Sequence, residues 1–207
     1  MPPSAAAGAP ATRIEPRPLA GAAIELHLES PDGLNRLSLA LLDELSSAPL
    51  RHPEARGFVL TGNEHCFSAG ADLAAIGALD GATAWRIARA GQRALERIHR
   101  SPVPFVAAVA GNCVGGGLDL ALACCARVCT PRAYFGHHGA RLGLVTGWGG
   151  TQRLPRLIGA PRTLEHLSQA QGWSAAAALD QGLVAVICAP DELLARAARL
   201  ADAKLRP

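Results

Sequence analysis

Two short segments of the chain combine small residues with a single aspartate in a way that is typical of binding through the backbone. The first is SAGAD, residues 68–72, and the second is VGGGLD, residues 114–119. Each follows a predicted buried strand and opens a predicted helix, whose first N–H groups have no acceptor within the helix. One N–H from each segment can converge on a single oxygen as an oxyanion hole. The pattern therefore predicts stabilisation of a developing negative charge.

The same residues also have purely structural interpretations. The glycines at 115–117 can allow a helix to pack tightly on a strand, and Asp72 can be a helix N-cap. Asp119 can be a first-turn acid that suits the helix dipole. A dinucleotide site is disfavoured, because the sequence lacks GxGxxG with a following acidic residue. At this point the oxyanion and packing interpretations both stay open.

Strands and helices must alternate along the chain to bring the two segments together. Apolar runs typical of strands are separated by runs with helical periodicity, which predicts an α/β fold with mainly parallel pairing and both sheet faces covered. Ligands of such sheets bind beyond the carboxyl ends of the strands. The predicted strands are 22–30, 56–62, 105–111, 127–130, 133–136 and 183–189, and the predicted helices are 38–45, 83–100, 118–125, 151–159, 162–171, 174–182 and 191–205.

Two features of these helices can be predicted in more detail. Ser38 is the expected N-cap of the first helix. In helix 83–100 the apolar stripe is expected at Trp85, Ala88, Leu95 and Ile98, with the arginines facing water.

Composition limits the possible functions of the chain. The 207 residues carry a net charge of +3 and show no lysine or arginine cluster, so a nucleic-acid partner is not expected. No apolar run is long enough for a membrane span, and the first residues lack the features of a secretory signal. We expect a disordered lead-in over 1–20, one domain over 21–207, no membrane partner and a cytoplasmic location.

The six cysteines are expected to be core thiols. None forms a CxxC pair, and no cysteine and histidine set has zinc-finger spacing. Free cysteines are often buried as small hydrophobic residues. The sequence therefore predicts no metal site.

Several motifs together resemble the enoyl-CoA hydratase/isomerase, or crotonase, family. The similar segments are FSAGADL (67–73), VAGNCVGGGLDLALACC (109–125) and GLVTGWGGTQRLPRLIG (143–159), in the family's order and at similar intervals. SPDGLNRLSLALLDEL (30–45) resembles the N-terminal signature, with Asn35, Leu37 and Ser38 in place, and SAAAALDQGLV (174–184) resembles a later helix-turn segment. The resemblance extends from about residue 22 to residue 205.

The resemblance implies a fold, a substrate class and a set of site residues. It implies a spiral of ββα units, assembly as homotrimers or dimers of trimers, and an acyl-CoA thioester as substrate. CoA enters as part of that substrate, so no separate cofactor is expected. The implied oxyanion donors are the N–H groups of Ala71 and Gly116. The residues implied to contact the substrate are Ala69, Gly70, Asp72, Leu73, Gly115 and Trp148.

The chain departs from the family pattern at its acid/base positions. Asp119 stands where the first family glutamate is expected, and Gly139 stands where the second is expected. His137 and His138 precede Gly139 and are possible replacements, although only one can face the site in an extended chain. Trp148 replaces a small residue and is expected to narrow the acyl pocket. The chain also ends earlier than the resemblance implies, which we expect to weaken CoA binding and trimer contacts.

The resemblance implies an acyl-CoA enzyme that stabilises a thioester enolate, with Asp119 as the acid/base. Hydration or double-bond isomerisation is the expected reaction, which would make the protein a lyase or an isomerase of fatty-acid metabolism. Three alternatives stay open: a non-catalytic acyl-CoA-binding or assembly subunit, a decarboxylase, and a C–C hydrolase of the same fold. A nucleic-acid-binding member is disfavoured, because the chain lacks a lysine-rich helix.

Overall fold

A six-stranded sheet forms the centre of the molecule in the computed structural model, which describes residues 11–203. Its strands are β1 Arg13–Pro18, β2 Ala23–Glu29, β3 Gly57–Thr61, β5 Phe105–Val109, β7 Ala126–Cys129 and β10 Val186–Ile187, in the spatial order β1-β2-β3-β5-β7-β10. Only β1 pairs in the antiparallel direction, with β2, and the other pairs of this sheet are parallel. The mainly parallel sheet expected from the sequence is confirmed.

A second, four-stranded sheet lies at the carboxyl ends of the first. Its strands are β4 Cys66–Ser68, β6 Asn112–Val114, β8 Tyr134–Gly136 and β9 Gly172–Ser174, in the order β4-β6-β8-β9. Each of β4, β6 and β8 follows a central strand of the first sheet after a short connection, and a helix follows each pair. The repeated order of two strands and a helix confirms the ββα units of the crotonase-like fold.

Nine α-helices connect and cover the strands within the part of the chain that the structure describes. They are α1 Leu39–Ser46, α2 Ala48–Arg51, α3 Leu73–Gly77, α4 Gly81–His99, α5 Gly116–Ala123, α6 Gly150–Ile158, α7 Ala160–Gln169, α8 Ala175–Asp180 and α9 Leu193–Asp202. Short 3-10 turns occupy Ala20–Ala22, Gly139–Leu142 and Pro190–Glu192. Ser38 caps α1 by accepting the N–H of Leu41, as expected.

The two faces of the first sheet pack into separate apolar cores because successive side chains of a strand point in opposite directions. On β3, Phe58 and Leu60 lie in the larger core, while Val59 lies in the smaller core with Ala197 and Ala201 of α9. Both faces are therefore covered, and β3 and β5 are buried along their whole length. This burial fixes the strand ends that lead to SAGAD and VGGGLD.

Two sequence predictions about local structure require correction. The disordered lead-in predicted over 1–20 is wrong for Arg13–Pro18, which form β1 because their backbone pairs with β2; residues 1–10 lie outside the described part. Trp85 does not belong to the buried stripe of α4, since it is 66% exposed. Leu95 and Ile98 are buried as predicted, Ala88 is half-buried, and Gly91 and Ala94 complete the buried stripe.

Candidate active site

The turns that follow β4 and β6 lie directly against each other. Gly70 has a φ of +83° and Gly115 a φ of +56°, a left-handed region that residues with a Cβ rarely adopt. A Cβ added at Gly70 would lie 2.5 Å from the backbone nitrogen of Gly116. The two turns can approach this closely only because glycine occupies the contact.

The three consecutive glycines serve three different purposes. Gly115 provides the left-handed turn that precedes α5. A side chain at Gly116 would collide with the ring of Trp148, whose Cζ3 atom would lie 2.7 Å from the added Cβ. A side chain at Gly117 would collide with the carbonyl oxygen of Ser68. The close packing considered for this triplet is thus present at Gly117, alongside a turn that leaves the N–H of Gly116 exposed.

The N–H groups of Ala71 and Gly116 both lie at the point where the turns meet. A Cβ added at Gly116 would lie 3.4 Å from the nitrogen of Ala71, so the two nitrogens belong to one small region. Among residues 11–203, neither N–H has a hydrogen-bond acceptor, and both residues are only half-buried. A buried or half-buried N–H without a partner is costly, which makes this pair suited to an external oxygen.

A buried polar network holds the first turn in place. Asn35 adopts a left-handed φ of +49°, and its side-chain Nδ2 donates to the carbonyl of Cys66 at 3.0 Å. The hydroxyl of Ser68 donates to the carbonyl of Asn35 at 2.7 Å and accepts the N–H of Gly70 at 3.1 Å. Leu37 donates its N–H to the carbonyl of Gly70 at 2.9 Å. The loop at 35–37 therefore fixes the backbone that presents Ala71.

Asp119 is buried in the first turn of α5 and faces the loop at 146–150. One oxygen, Oδ2, accepts the hydroxyl of Thr146 and the N–H of Trp148 at 3.3 Å. The other, Oδ1, has no hydrogen bond within the described residues and lies 3.3 Å from Nε2 of His137. The side chain of Asp119 is 2% exposed and that of His137 is 5% exposed. The structure therefore brings the predicted carboxylate and one predicted histidine into direct contact.

The two adjacent histidines point in opposite directions. His137 turns towards Asp119, whereas His138 stacks on Tyr134 with ring centroids 5.8 Å apart. Nδ1 of His138 lies 3.0 Å from the carbonyl oxygen of Ala170. His138 is therefore not part of the Asp119 cluster.

Gly139 provides no acid and little room for one. It opens the 3-10 turn Gly139–Leu142, and its carbonyl accepts the N–H of Leu144 at 2.9 Å. A Cβ added at Gly139 would lie 2.9 Å from the backbone carbonyl oxygen of Leu144. Any side chain at this position requires the loop to move.

Trp148 is held between α4 and α5 and is 7% exposed. Its ring touches Gly116 on one side, and on the other its Nε1 atom occupies the space that a side chain at Gly91 would need. Nη1 of Arg153 donates to the carbonyl oxygen of Trp148 at 3.1 Å, and Gln92 donates to the carbonyl oxygen of Gly147 at 2.9 Å. The loop at 146–150 is thus held on α4 by the hydrogen bond from Gln92 and by the packing of Trp148 against Gly91.

The remaining predicted contact residues lie along the first turn and α3. Ala69 donates its N–H to the carbonyl of Leu34 at 2.9 Å. Asp72 caps α3 by accepting the N–H of Ala75 at 2.9 Å, and its other oxygen lies 3.6 Å from Nε of Arg36. The structural interpretation of Asp72 is therefore confirmed. Leu73 is 61% exposed, so it is available at the surface beside the turn.

Sequence reasoning did not identify several residues that position the site. These residues act through contacts with segments that are distant in the sequence. Ser68 hydrogen-bonds to Asn35, and Thr146 hydrogen-bonds to Asp119. Arg153 pairs with Glu96, and Gly91 packs against Trp148. Asn35 was noted only as part of a resemblance, although asparagine tolerates a left-handed φ better than most residues. That tolerance is the one signal in the sequence that points to its role.

Other kinds of site receive no support from the described residues. The cysteines are free, and five of the six are buried. Burial raises the pKa of the Cys66 thiol to about 11 and that of Cys129 to about 12, so these thiols are poor nucleophiles. Over residues 11–203, no cluster of three or more metal-binding side chains occurs. None of the helices in that range is long and apolar enough to cross a membrane.

Comparisons with known proteins identify relatives over nearly the whole chain. The family model described as enoyl-CoA hydratase/isomerase matches residues 20–206. An enoyl-CoA hydratase structure from Bacillus anthracis has a TM-score of 0.85 and 32% identity, covering 93% of this chain and 76% of that chain. An enoyl-CoA hydratase subunit I from Geobacillus kaustophilus has a TM-score of 0.83 and 35% identity, with coverage of 93% and 75%. DspI from Pseudomonas aeruginosa has a TM-score of 0.85 and 29% identity, with coverage of 99% and 84%.

Proposed function

The chain belongs to the enoyl-CoA hydratase/isomerase family, and from this premise we propose that it binds an acyl-CoA thioester and stabilises the enolate of that thioester. The observation that carries the proposal is the pair of N–H groups at Ala71 and Gly116, which meet without an acceptor among the described residues. The thioester carbonyl oxygen accepts a hydrogen bond from each N–H group. Negative charge that develops on this oxygen is then stabilised by donors that are already in place.

Asp119 is the proton-transferring group of this proposal, with His137 as its partner. Removal of a proton from the carbon next to the thioester carbonyl leaves an enolate, and the proton passes to the carboxylate. His137 stabilises the carboxylate from the side opposite Thr146 and Trp148. Return of the proton at a different carbon moves the double bond. In hydration the enolate forms differently: the hydroxyl of water adds to the β carbon of a 2-enoyl thioester, and the proton of that water passes through Asp119 to the α carbon. Isomerisation needs only one carboxylate, which matches the glycine at 139.

A second candidate is an acyl-CoA-binding subunit without turnover. The observation that favours it is the set of contacts of Asp119 within the protein, since Oδ2 accepts two hydrogen bonds and Oδ1 lies 3.3 Å from Nε2 of His137. A carboxylate used in this way can serve mainly to hold the 146–150 loop on α5. The backbone donors would still bind the thioester carbonyl, so binding is common to both candidates.

Binding and turnover separate these candidates in one experiment. The protein is heated with acetyl-CoA, crotonyl-CoA and free CoA at a series of concentrations, and the acyl-CoA products are analysed by mass spectrometry. A ligand that binds only the folded state raises the melting temperature in proportion to ln(1 + [L]/Kd). A shift with product formation supports the enzyme, and a shift without product supports the binding subunit. No shift with any CoA ester at millimolar concentration contradicts both.

Self-association is also proposed, because apolar side chains are exposed on the loop beside the site. Leu142, Leu144 and Val145 are 58%, 40% and 68% exposed, and clustered exposed apolar residues often mark contacts between subunits. A homotrimer is the assembly we propose, and light scattering measures it directly. A cytoplasmic location, the absence of a separate cofactor and a role in fatty-acid metabolism stay predictions.

A further inference from the structure

The indole of Trp148 fills a space that two glycines leave open for it. One edge of the ring lies over Gly116, where Cζ3 and Cε3 would be 2.7 and 2.9 Å from an added Cβ. The opposite edge, with Nε1, fills the place of a side chain at Gly91 in the middle of α4. Glycine is unfavourable inside a helix, so its presence at 91 is explained by the room that the indole needs.

The position of this indole is fixed by the backbone on both sides. The N–H of Trp148 donates to Oδ2 of Asp119 at 3.3 Å, and its carbonyl oxygen accepts a hydrogen bond from Nη1 of Arg153 at 3.1 Å. Arg153 is itself buried and paired with Glu96 of α4 at 2.9 Å. The main chain of Trp148 cannot shift without breaking these hydrogen bonds, and the ring is packed between Gly116 and Gly91. The indole is therefore held in one position.

We infer that Trp148 and Gly91 together limit the acyl-CoA substrate to short acyl groups. This inference rests on the proposed function. A carbonyl held at Gly116 must direct its reacting carbons towards Asp119 if that carboxylate is to receive a proton. Trp148 lies beside both groups, because its indole packs over Gly116 and its main-chain N–H donates to Oδ2 of Asp119. Any acyl chain that continues beyond the reacting carbons meets the indole.

The test compares acyl chains of different length on the intact chain and on matched variants. Wild-type protein, Trp148→Ala and Trp148→Phe are assayed for binding and turnover of crotonyl-CoA and trans-2-decenoyl-CoA. Trp85→Ala is the matched control, because Trp85 lies on the same helix as Gly91 but is 66% exposed. Removing the indole is expected to raise the decenoyl-to-crotonyl ratio of kcat/KM, or of binding constants, by about 10- to 100-fold. Trp85→Ala is expected to leave this ratio within about twofold.

A compensating variant keeps the test valid if Trp148→Ala is poorly folded. Trp148→Ala with Gly91→Leu returns apolar volume from the side of α4, and it is expected to recover both the melting temperature and the preference for crotonyl-CoA. An unchanged ratio in folded Trp148→Ala, or a wild-type protein that prefers the decenoyl ester, overturns the inference while acyl-CoA binding still stands. If the wild-type protein binds neither ester, the proposed function fails, and this inference fails with it.

Discussion

The two halves of the candidate site differ in the groups that form them: main-chain N–H groups form one half, and side chains form the other. The oxyanion half consists of the backbone of Ala71 and Gly116, and both residues are half-buried at the meeting point of two turns. The acid/base half consists of the side chains of Asp119, His137 and Trp148, all of which are buried. The first half follows from glycine positions that the sequence displays, while the second depends on contacts between segments far apart in the chain.

This difference shows which part of the chemistry the fold itself provides. The donors at Ala71 and Gly116 exist because β4 and β6 end side by side, and they do not depend on the type of any nearby acid. The acid/base half is built separately, because Asp119 contacts His137 and the loop at 146–150. We therefore expect the backbone donors to bind a carbonyl oxygen whichever proton transfer Asp119 performs.

The largest expected effect tests the backbone half at Gly116. Gly116→Pro removes the N–H at the first position of α5, where proline is tolerated. We expect kcat/KM to fall by about 10²- to 10³-fold. Gly116→Ala is the matched control, because its Cβ meets the same Trp148 ring but the N–H is kept. Steady-state kinetics on folded variants measure the difference, and equal rates for the two variants would show that this N–H binds no oxyanion.

The next effect tests the side-chain half at Asp119. Asp119→Asn keeps the shape of the side chain and removes its capacity to carry a proton, so we expect kcat to fall by about 100-fold. Thr146→Val removes one hydrogen bond to Asp119 while the carboxylate remains, and we expect it to cost less than about 10-fold. If both variants lose similar stability in urea and neither loses turnover, Asp119 only holds the loop.

Much of the fold could be predicted from the sequence, because buried strands and amphipathic helices each have their own periodicity. The strands β3 and β5 and the cap at Ser38 are in the predicted places. The short strands β4, β6 and β9 were missed, since three residues carry no periodicity and pair only once the first sheet exists. At the site, glycine spacing predicted the turns, whereas the contact between His137 and Asp119 and the space at Gly91 arise from tertiary packing alone.

A smaller effect separates the two neighbouring histidines. His137→Asn removes the partner of Asp119 Oδ1, and we expect kcat to fall roughly 10-fold, because loss of a positioned partner misplaces the carboxylate. His138→Asn is the matched control on the next residue, since His138 contacts Tyr134 and Ala170 instead. We expect that variant to stay within about twofold of the parent. The pH profile of kcat is recorded for both, and identical profiles and rates would remove His137 from the site.

The smallest effect concerns the free energy of unfolding and its dependence on pH, through the buried His166 of α7. Burial, together with charge repulsion from His137 and His138, lowers the pKa of His166 from 6.5 to about 4. His166 also stacks on Trp173, with ring centroids 3.3 Å apart. Because the unfolded chain binds this proton between pH 6.5 and 4 and the folded chain does not, stability is full above pH 6.5 and falls as the pH is lowered through this window.

At pH 5 we expect His166 to reduce the free energy of unfolding by about 1–2 kcal/mol relative to pH 7. His166→Leu cannot take up the proton, so its urea unfolding curves at pH 7 and pH 5 should differ by that much less. His65→Leu is the control, because the side chain of His65 is 70% exposed. A parent protein as stable at pH 5 as at pH 7 would mean that His166 opens to water.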